Sequence, residues 1–318
     1  MFSVIKKILP YSILGIFIFL IYNFYSNNKS DFDFIYNLNY KILIQIIILC
    51  FFYLITEAII LKKITYFFYK DISYTKSFLV INTTYLCNTF VSFSGLGFRA
   101  FYLKKIFKIN ITDFIILSLF IILIEIFVFS FFGLCFLIFA DFLDESYKIS
   151  KYLKFILFSL SIITVLIFTS YDYFYKFIIN FLNIDQKKYI KKISFFFTKT
   201  KNVDLKRFLL KFIWIFLIQF IILFLIFYLG HSVLDKENSL IFSIIATSST
   251  DLSFIFTITP YAVGISEAFI FFSSSDLDIN LAEIIFLSNL FRLSIFLIYF
   301  LIGLVHLYFF LNKIRYEK

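Results

Sequence analysis

The chain has 318 residues, of which 62% are hydrophobic and 16% charged, and its mean hydropathy is +0.95. A soluble protein carries about a quarter charged residues and cannot bury this much apolar surface, so the composition excludes one. It also excludes a disordered chain, because disordered segments are poor in aromatic and branched side chains. An all-α polytopic membrane protein remains. We assign the net charge of +10 to loops that orient the spans and expect no nucleic-acid partner.

Six stretches have the roughly 20 mainly apolar residues that a spanning helix needs. They are predicted at Ile8–Tyr25, Ile42–Leu61, Phe114–Ala140, Phe155–Tyr171, Phe212–Gly230 and Ile284–Asn312. The first follows Lys6 and Lys7 as a signal peptide would, but no small-residue cleavage site comes after it. We therefore expect it to be retained as a span.

Two further apolar segments, residues 77–98 and 238–275, are rich in small polar residues and are interrupted near the middle. The interrupting residues are Gly95 and Gly97 in the first segment and Pro260 and Gly264 in the second. Lysines flank the first segment on both sides, and acidic residues dominate both flanks of the second. By the positive-inside rule, the first enters and leaves from the cytoplasm and the second from outside. We therefore predict six full spans and two oppositely inserted re-entrant helical hairpins.

The alternative topology has eight full spans. It requires residues 265–275 to cross the bilayer, and about 11 residues are too few for a spanning helix. The ten lysines and arginines from Lys176 to Lys211 predict that the segment 172–211 is cytoplasmic. Both termini then lie in the cytoplasm, and the expected location is the cytoplasmic (inner) membrane. Broken backbone at membrane depth is tolerated only inside protein or beside a cavity, so the hairpins are candidates for a substrate pathway.

The sequence resembles itself at an offset of about 170 residues. Ile109–Ser118 lines up with Ile279–Ser288, and each follows a broken hairpin and leads into a long apolar helix. Chance similarity in a chain rich in Ile and Phe is the alternative explanation. We predict one membrane domain over 1–318, with repeat halves of about 40–140 and 208–312. In the predicted topology the halves are inverted, as in many transporters whose site lies at the repeat interface.

Charged side chains inside membrane spans are costly, so they normally face a cavity or a partner. The predicted headgroup-binding residues, which lie at the two breaks or in nearby apolar segments, are Arg99, Glu125, Asp251, Glu267 and Arg292. In one interpretation Arg99 and Arg292 bind an anionic headgroup, because a planar guanidinium matches phosphate oxygens. In the other, the charges form ion pairs that hold the hairpins in place. Glu57 is either an interfacial carboxylate or a functional one.

Sequence patterns for other chemistries are missing. The chain has no zinc-ligand spacing, no phosphate-binding glycine loop and no nucleophile with a nearby base. We therefore expect no cofactor, no metal site and no catalytic residue.

The two glycine turns resemble the lysylphosphatidylglycerol synthase transmembrane-region family, which is the membrane part of the multiple peptide resistance factor proteins. One family motif joins a glycine turn, an arginine, a basic pair and a glutamate; the other joins proline, a glycine turn, glutamate, arginine and a later glycine. The matching residues here are Gly95, Gly97, Arg99, Lys104, Lys105 and Glu125, then Pro260, Gly264, Glu267, Arg292 and Gly303. The resemblance covers about residues 40–312. Two departures are Tyr261-Ala262, where glycines are usual, and the lack of an arginine after Glu125.

The resemblance implies lipid handling, with translocation of aminoacylated phosphatidylglycerol in the resistance proteins. Those proteins also carry a soluble aminoacyl-transferase domain. The last predicted span ends at Asn312 and the sequence at Lys318, so we expect no such domain and no enzymatic activity. The prediction is a lipid flippase for an anionic or modified phospholipid or a polyprenyl-phosphate-linked lipid.

Two alternatives to the flippase remain open. One is a non-transporting accessory subunit that binds lipid or a lipid-modifying or glycosyltransferase enzyme. The other is a membrane enzyme that acts on a lipid headgroup. Membrane lipids are the expected partners in each case, and a second copy of the chain or a lipid-modifying enzyme is a further candidate.

Overall fold

The computed structural model describes residues 39–68, 70–91, 93–143, 151–169, 205–232, 239–255, 262–274 and 279–316, together with the single residues 26, 234 and 277. Within these ranges the chain forms helices and no strands. The predicted span Ile8–Tyr25, most of the basic segment 172–211 and the predicted turn residue Pro260 lie outside the described residues.

The described ranges contain nine helices. In chain order they are α1 (Tyr40–Phe67), α2 (Tyr74–Phe90), α3 (Ser94–Phe107), α4 (Ile111–Leu143), α5 (Lys151–Thr169), α6 (Leu205–Ser232), α7 (Ser239–Ile255), α8 (Ile265–Ser273) and α9 (Leu281–Tyr316). Side chains cap the first two helices: Asn39 accepts a hydrogen bond from the Lys41 amide, and Ser73 accepts one from the Lys76 amide. Such caps satisfy amide groups that have no partner within the helix.

Four described helices are long and apolar enough to cross a membrane. Their apolar portions are Tyr40–Phe67, Leu117–Ala140, Leu210–Ser232 and Leu281–Asn312, and these coincide with four of the six predicted spans. Helix α5 covers most of a fifth predicted span. The protein is therefore an all-helical, multi-pass membrane protein. The count of six spans and the re-entrant insertion of the hairpins stay predictions.

The first hairpin consists of α2 and α3, which are joined by residues 91–93. The predicted interruption at Gly95 and Gly97 is displaced, because α3 already begins at Ser94. Phe93, the residue directly before α3, adopts a left-handed φ of 63°. Gly95 and Gly97 therefore lie in the first turn of α3.

Gly95 serves close packing between the two arms of this hairpin. A Cβ at Gly95 would lie 2.3 Å from the carbonyl oxygen of Thr84 in α2. The Gly95 amide donates a hydrogen bond of 2.7 Å to the Asn88 side chain, which ties the start of α3 to the end of α2. At Gly97, by contrast, a Cβ would meet nothing within 4 Å.

The second hairpin consists of α7 and α8, which pack against each other. Gly264, a predicted turn residue, directly precedes α8 with a φ of 86°, a conformation that favours glycine. Ala262 has a φ of 52°. This alanine is one of the two residues that replace the usual glycines of the family motif, and its backbone adopts the conformation for which glycine is suited.

Each hairpin packs against the long helix of the other half of the chain. Helix α2 of the first hairpin runs along α9, and helix α7 of the second runs along α4. The spans that precede the hairpins, α1 and α6, pack against each other. The same set of contacts thus occurs twice, and the two halves interlock.

Two glycines permit the crossings between hairpins and long helices. A Cβ at Gly133 in α4 would lie 2.2 Å from the Ser248 hydroxyl in α7, and a Cβ at Gly303 in α9 would lie 2.9 Å from the Asn82 carbonyl oxygen in α2. Small residues let membrane helices approach closely. The two glycines are separated by 170 residues, which is the offset at which the sequence resembles itself.

Polar side chains of the hairpins face inward, and large apolar side chains of the spans face outward. Asn82 and Ser249 are 0% exposed, whereas Trp214 and Leu301 are 69% and 68% exposed. This distribution suits a lipid surround, because hydrocarbon solvates apolar side chains and leaves polar ones unsatisfied.

We expect Gly303→Ala to lower the free energy of unfolding by about 1–3 kcal/mol, the usual cost of overpacking. The clash is with the Asn82 backbone, which cannot rotate away. Gly133→Ala meets a side-chain hydroxyl instead, so adding Ser248→Ala to it should restore a large part of the loss. Thermal unfolding of the purified protein in detergent measures each effect.

Gly97→Ala is the matched control for these variants. It adds a methyl group to a helix where no neighbour lies within 4 Å, so stability should be unchanged or rise by about 0.5–1 kcal/mol. Equal stability of Gly303→Ala and Gly97→Ala would show that the close helix crossing is not required.

Candidate functional site

The charged residues predicted from the sequence fall into two separate groups. Arg292 and Glu267 belong to one group, with Ser266, Ala262 and Gly264, which we call the hairpin clamp. Arg99, Glu125 and Asp251 belong to the other, with Glu57 and Gln219, which we call the central cluster. The sequence grouped Arg99 and Arg292 as one headgroup site, whereas the structure gives each a different set of partners.

The hairpin clamp joins α8 to α9 through a two-pronged ion pair. Arg292 Nη1 donates to Glu267 Oε1, and Nη2 lies 3.2 Å from Glu267 Oε2. Nη2 also donates to the Ser266 hydroxyl and lies 3.5 Å from the Ala262 carbonyl oxygen. Paired bonds of this kind are the strongest that arginine forms with a carboxylate.

Glu267 also fixes the start of α8. Its Oε2 accepts a hydrogen bond of 2.8 Å from the Gly264 amide and one of 3.1 Å from the Ser266 hydroxyl. A carboxylate in the first turn of a helix caps free amides and interacts favourably with the helix dipole. The Glu267 and Arg292 side chains are only 3% and 12% exposed. This geometry fits the interpretation in which charges hold a hairpin in place.

The central cluster is held more loosely. Arg99 Nη2 in α3 lies 3.9 Å from Glu57 Oε2 in α1, and Arg99 Nε lies 3.5 Å from the Thr84 hydroxyl in α2. Glu57 Oε1 accepts a hydrogen bond of 3.0 Å from Nε2 of the Gln219 side chain in α6. The Arg99 and Glu57 side chains are 15% and 12% exposed. Two nearly buried charges therefore face each other at the limit of an ion pair.

Glu125 and Asp251 add two more carboxylates to this cluster. Glu125 in α4 interacts electrostatically with Asp251, Glu57 and Arg99, and Asp251 in α7 interacts with Glu57. Asp251 is 6% exposed. Three carboxylates and one guanidinium from four helices thus share one interior region, with an excess of negative charge.

Two tyrosines border the cluster. Tyr53 in α1 and Tyr85 in α2 interact with each other, and both lie in the field of Glu57. The Tyr53 ring packs edge-on against Phe291, with 6.2 Å between ring centroids. Phe291 precedes Arg292 in α9, so this contact links the wall of the cluster to the helix that carries the clamp.

Sequence reasoning left Glu57 undecided and missed Gln219, Tyr53 and Tyr85. The position of Gln219 carried a usable signal, since it is the only amide in the otherwise apolar predicted span Phe212–Gly230. The tyrosines carried none, because the chain has 22 of them. Among the described residues, no group of three or more His, Cys, Asp or Glu side chains could hold a metal ion.

A charged region enclosed by membrane-crossing helices and two broken hairpins defines a multi-pass membrane protein with an interior polar site. The family described as the lysylphosphatidylglycerol synthase TM region matches residues 11–303, so the chain belongs to this family, as its glycine-turn motifs indicated. Comparison with curated proteins and with solved structures gives no match. Membership associates the protein with membrane lipids.

We expect Arg292→Leu to lower the free energy of unfolding by about 3–5 kcal/mol, because it leaves the buried Glu267 carboxylate without its partner. The double variant Arg292→Leu/Glu267→Leu removes both charges and should be more stable than Arg292→Leu alone. Thermal unfolding in detergent provides the comparison. If the double variant were as unstable as the sum of two independent losses, the ion pair would not be the interaction that ties α8 to α9.

Proposed function

We propose that the protein is a lipid flippase whose central cluster receives the lipid headgroup. The observation that carries the proposal is the state of Arg99, which lies inside the helical assembly and has, among the described residues, a 3.9 Å ion pair to Glu57 and a 3.5 Å contact to Thr84. Its Nη atoms donate no hydrogen bond to any described residue. Arginine donors in such a place are suited to a phosphate group, which they bind through two parallel bonds.

The carboxylates around Arg99 suggest what the headgroup carries besides phosphate. Glu57, Glu125 and Asp251 would repel a purely anionic lipid but would accept hydrogen bonds from an amine. A modified phospholipid with both a phosphodiester and an amino group satisfies the guanidinium and the carboxylates together. Aminoacylated phosphatidylglycerol, which the family resemblance implies, has this chemistry.

The interlocked hairpins suggest how the headgroup moves. Glu57, Arg99 and Glu125 come from the first half of the chain, and Gln219 and Asp251 come from the second. A relative movement of the halves changes the distances within the cluster and the access to it, as in transporters whose site lies between repeats. The proposal places the protein in the cytoplasmic membrane with both termini in the cytoplasm.

A non-transporting accessory subunit is the second candidate. The hairpin clamp favours it, because Arg292 and Glu267 are paired with each other and nearly buried. An accessory subunit would have all of its interior charges sealed in this way. The two candidates therefore differ in whether Arg99 binds lipid.

We expect Arg99→Gln to slow lipid exchange at least tenfold, since a hydrogen bond to a charged group contributes about 1.5–3 kcal/mol. The assay uses proteoliposomes that contain fluorescent phosphatidylglycerol or fluorescent lysylphosphatidylglycerol. A membrane-impermeant quencher reports the probe in the outer leaflet over time. Arg99→Lys should fall between the wild type and Arg99→Gln, because lysine keeps the charge and loses the planar fork.

Lys104→Gln is the matched control, because Lys104 is an exposed cation on the same helix. It should exchange lipid at the wild-type rate. Wild-type exchange by Arg99→Gln would contradict the headgroup site. Exchange no faster than in protein-free vesicles, for every probe, would instead favour the accessory subunit. Leaflet-resolved lipid analysis of membranes with and without the protein then identifies the cargo.

A further inference from the structure

The central cluster contains more negative charge than its own cations balance. Glu57, Glu125 and Asp251 face Arg99, which is the only described cation among the electrostatic contacts of Glu125. Arg292 does not help, because its guanidinium is bound to Glu267. Unpaired carboxylates inside a membrane protein are strongly destabilised, and they recover stability by taking up a positive charge.

An unused hydrogen-bond acceptor gives a second and independent indication. The Gln219 side chain is 0% exposed; its nitrogen donates to Glu57, and its Oε1 has no donor among the described residues. A buried acceptor beside a carboxylate calls for a ligand that donates hydrogen bonds and carries positive charge.

Few groups near the carboxylates could supply the positive charge that they need. The titratable or charged groups of the cluster and its border are Tyr53 and Glu57 from α1, Tyr85 from α2, Arg99 from α3, Glu125 from α4 and Asp251 from α7. Helix α6 contributes the neutral Gln219. Helix α5, in its described part, contributes no charge to the surroundings of Glu125, and the acidic residue of α8 is held by Arg292.

We propose that Glu125 and Asp251 bind a proton in the empty site and exchange it for the amino group of the lipid headgroup. The proposal rests on the flippase function. When the headgroup arrives, the carboxyl O–H bond breaks, the proton passes to water, and the ammonium group takes its place beside the carboxylates. The ammonium group then supplies beside the carboxylates the positive charge that the proton supplied before, while the phosphate of the headgroup pairs with Arg99. Lipid movement in one direction is thereby linked to proton movement in the other.

The proton site is tested first without transport. Infrared spectra of the purified protein at about pH 7 should contain the carbonyl band of a protonated carboxyl, because exposed carboxylates are ionised at that pH. Glu125→Gln and Asp251→Asn should each remove or at least halve this band. Asp71→Asn, which changes a carboxylate that is 76% exposed, should leave it intact. A band unaffected by both cluster variants, or no band in the wild type, overturns the proton site.

Coupling is tested in the proteoliposome assay with fluorescent lysylphosphatidylglycerol and a gradient of one pH unit. If one proton is exchanged per lipid, the gradient biases the distribution of the probe between the leaflets by up to tenfold, because one pH unit is a tenfold ratio of proton concentrations. A protonophore should abolish the bias. Glu125→Gln and Asp251→Asn should exchange lipid with at most a twofold response to the gradient.

The outcomes separate this inference from the flippase function. Lipid exchange with the same leaflet ratio in the presence and absence of the gradient overturns proton coupling and leaves the flippase intact. No exchange above protein-free vesicles overturns the flippase and the coupling with it, while the infrared band still decides whether the cluster binds a proton.

Discussion

A charge buried among membrane helices has to be compensated by protein groups, because hydrocarbon offers neither water nor counterions. This protein meets the constraint in two ways. Arg292 is bound by both carboxylate oxygens of Glu267, by Ser266 and by a backbone carbonyl, and this pairing fixes α8 on α9. Arg99 has one carboxylate at 3.9 Å, while two further carboxylates lie within electrostatic reach of the same region. The first arrangement is complete in itself, and the second leaves donors and acceptors that a ligand can satisfy.

The packing between the two halves of the chain determines where the central cluster lies. Each hairpin packs against the long helix of the other half, and glycines at the two crossings bring the helices close together. Helices from both halves consequently converge on one interior region, and each contributes one member of the central cluster. Neither half alone contains Glu57 with its hydrogen-bond donor Gln219. The site is therefore a product of the packing between the halves, and its geometry depends on how they fit.

Much of this architecture could be predicted from the sequence, because hydrocarbon imposes simple rules on length and polarity. Apolar stretches located four of the spans, and the rarity of interior charges identified Arg99, Glu125, Asp251, Glu267 and Arg292. Their pairing could not be predicted, since it depends on which distant helices meet. The first turn was displaced for a different reason. Gly95 is required by contact with Thr84, and Phe93, directly before α3, has a conformation that phenylalanine rarely adopts.

The two halves make matching helix contacts but hold their charges differently, and this difference affects which helices can separate. The clamp binds α8 to α9, and the close approach at Gly303 holds α9 against α2. These three helices therefore resist separation through a two-pronged ion pair and a tight backbone contact. Helices α1 and α3 are joined across the cluster by the 3.9 Å pair of Glu57 and Arg99, whose attraction is weaker and whose remaining donors are unused. Of the two interior ion pairs described, the pair of Glu57 and Arg99 is therefore the easier to open, and a headgroup that enters between α1 and α3 would replace the interaction that is lost.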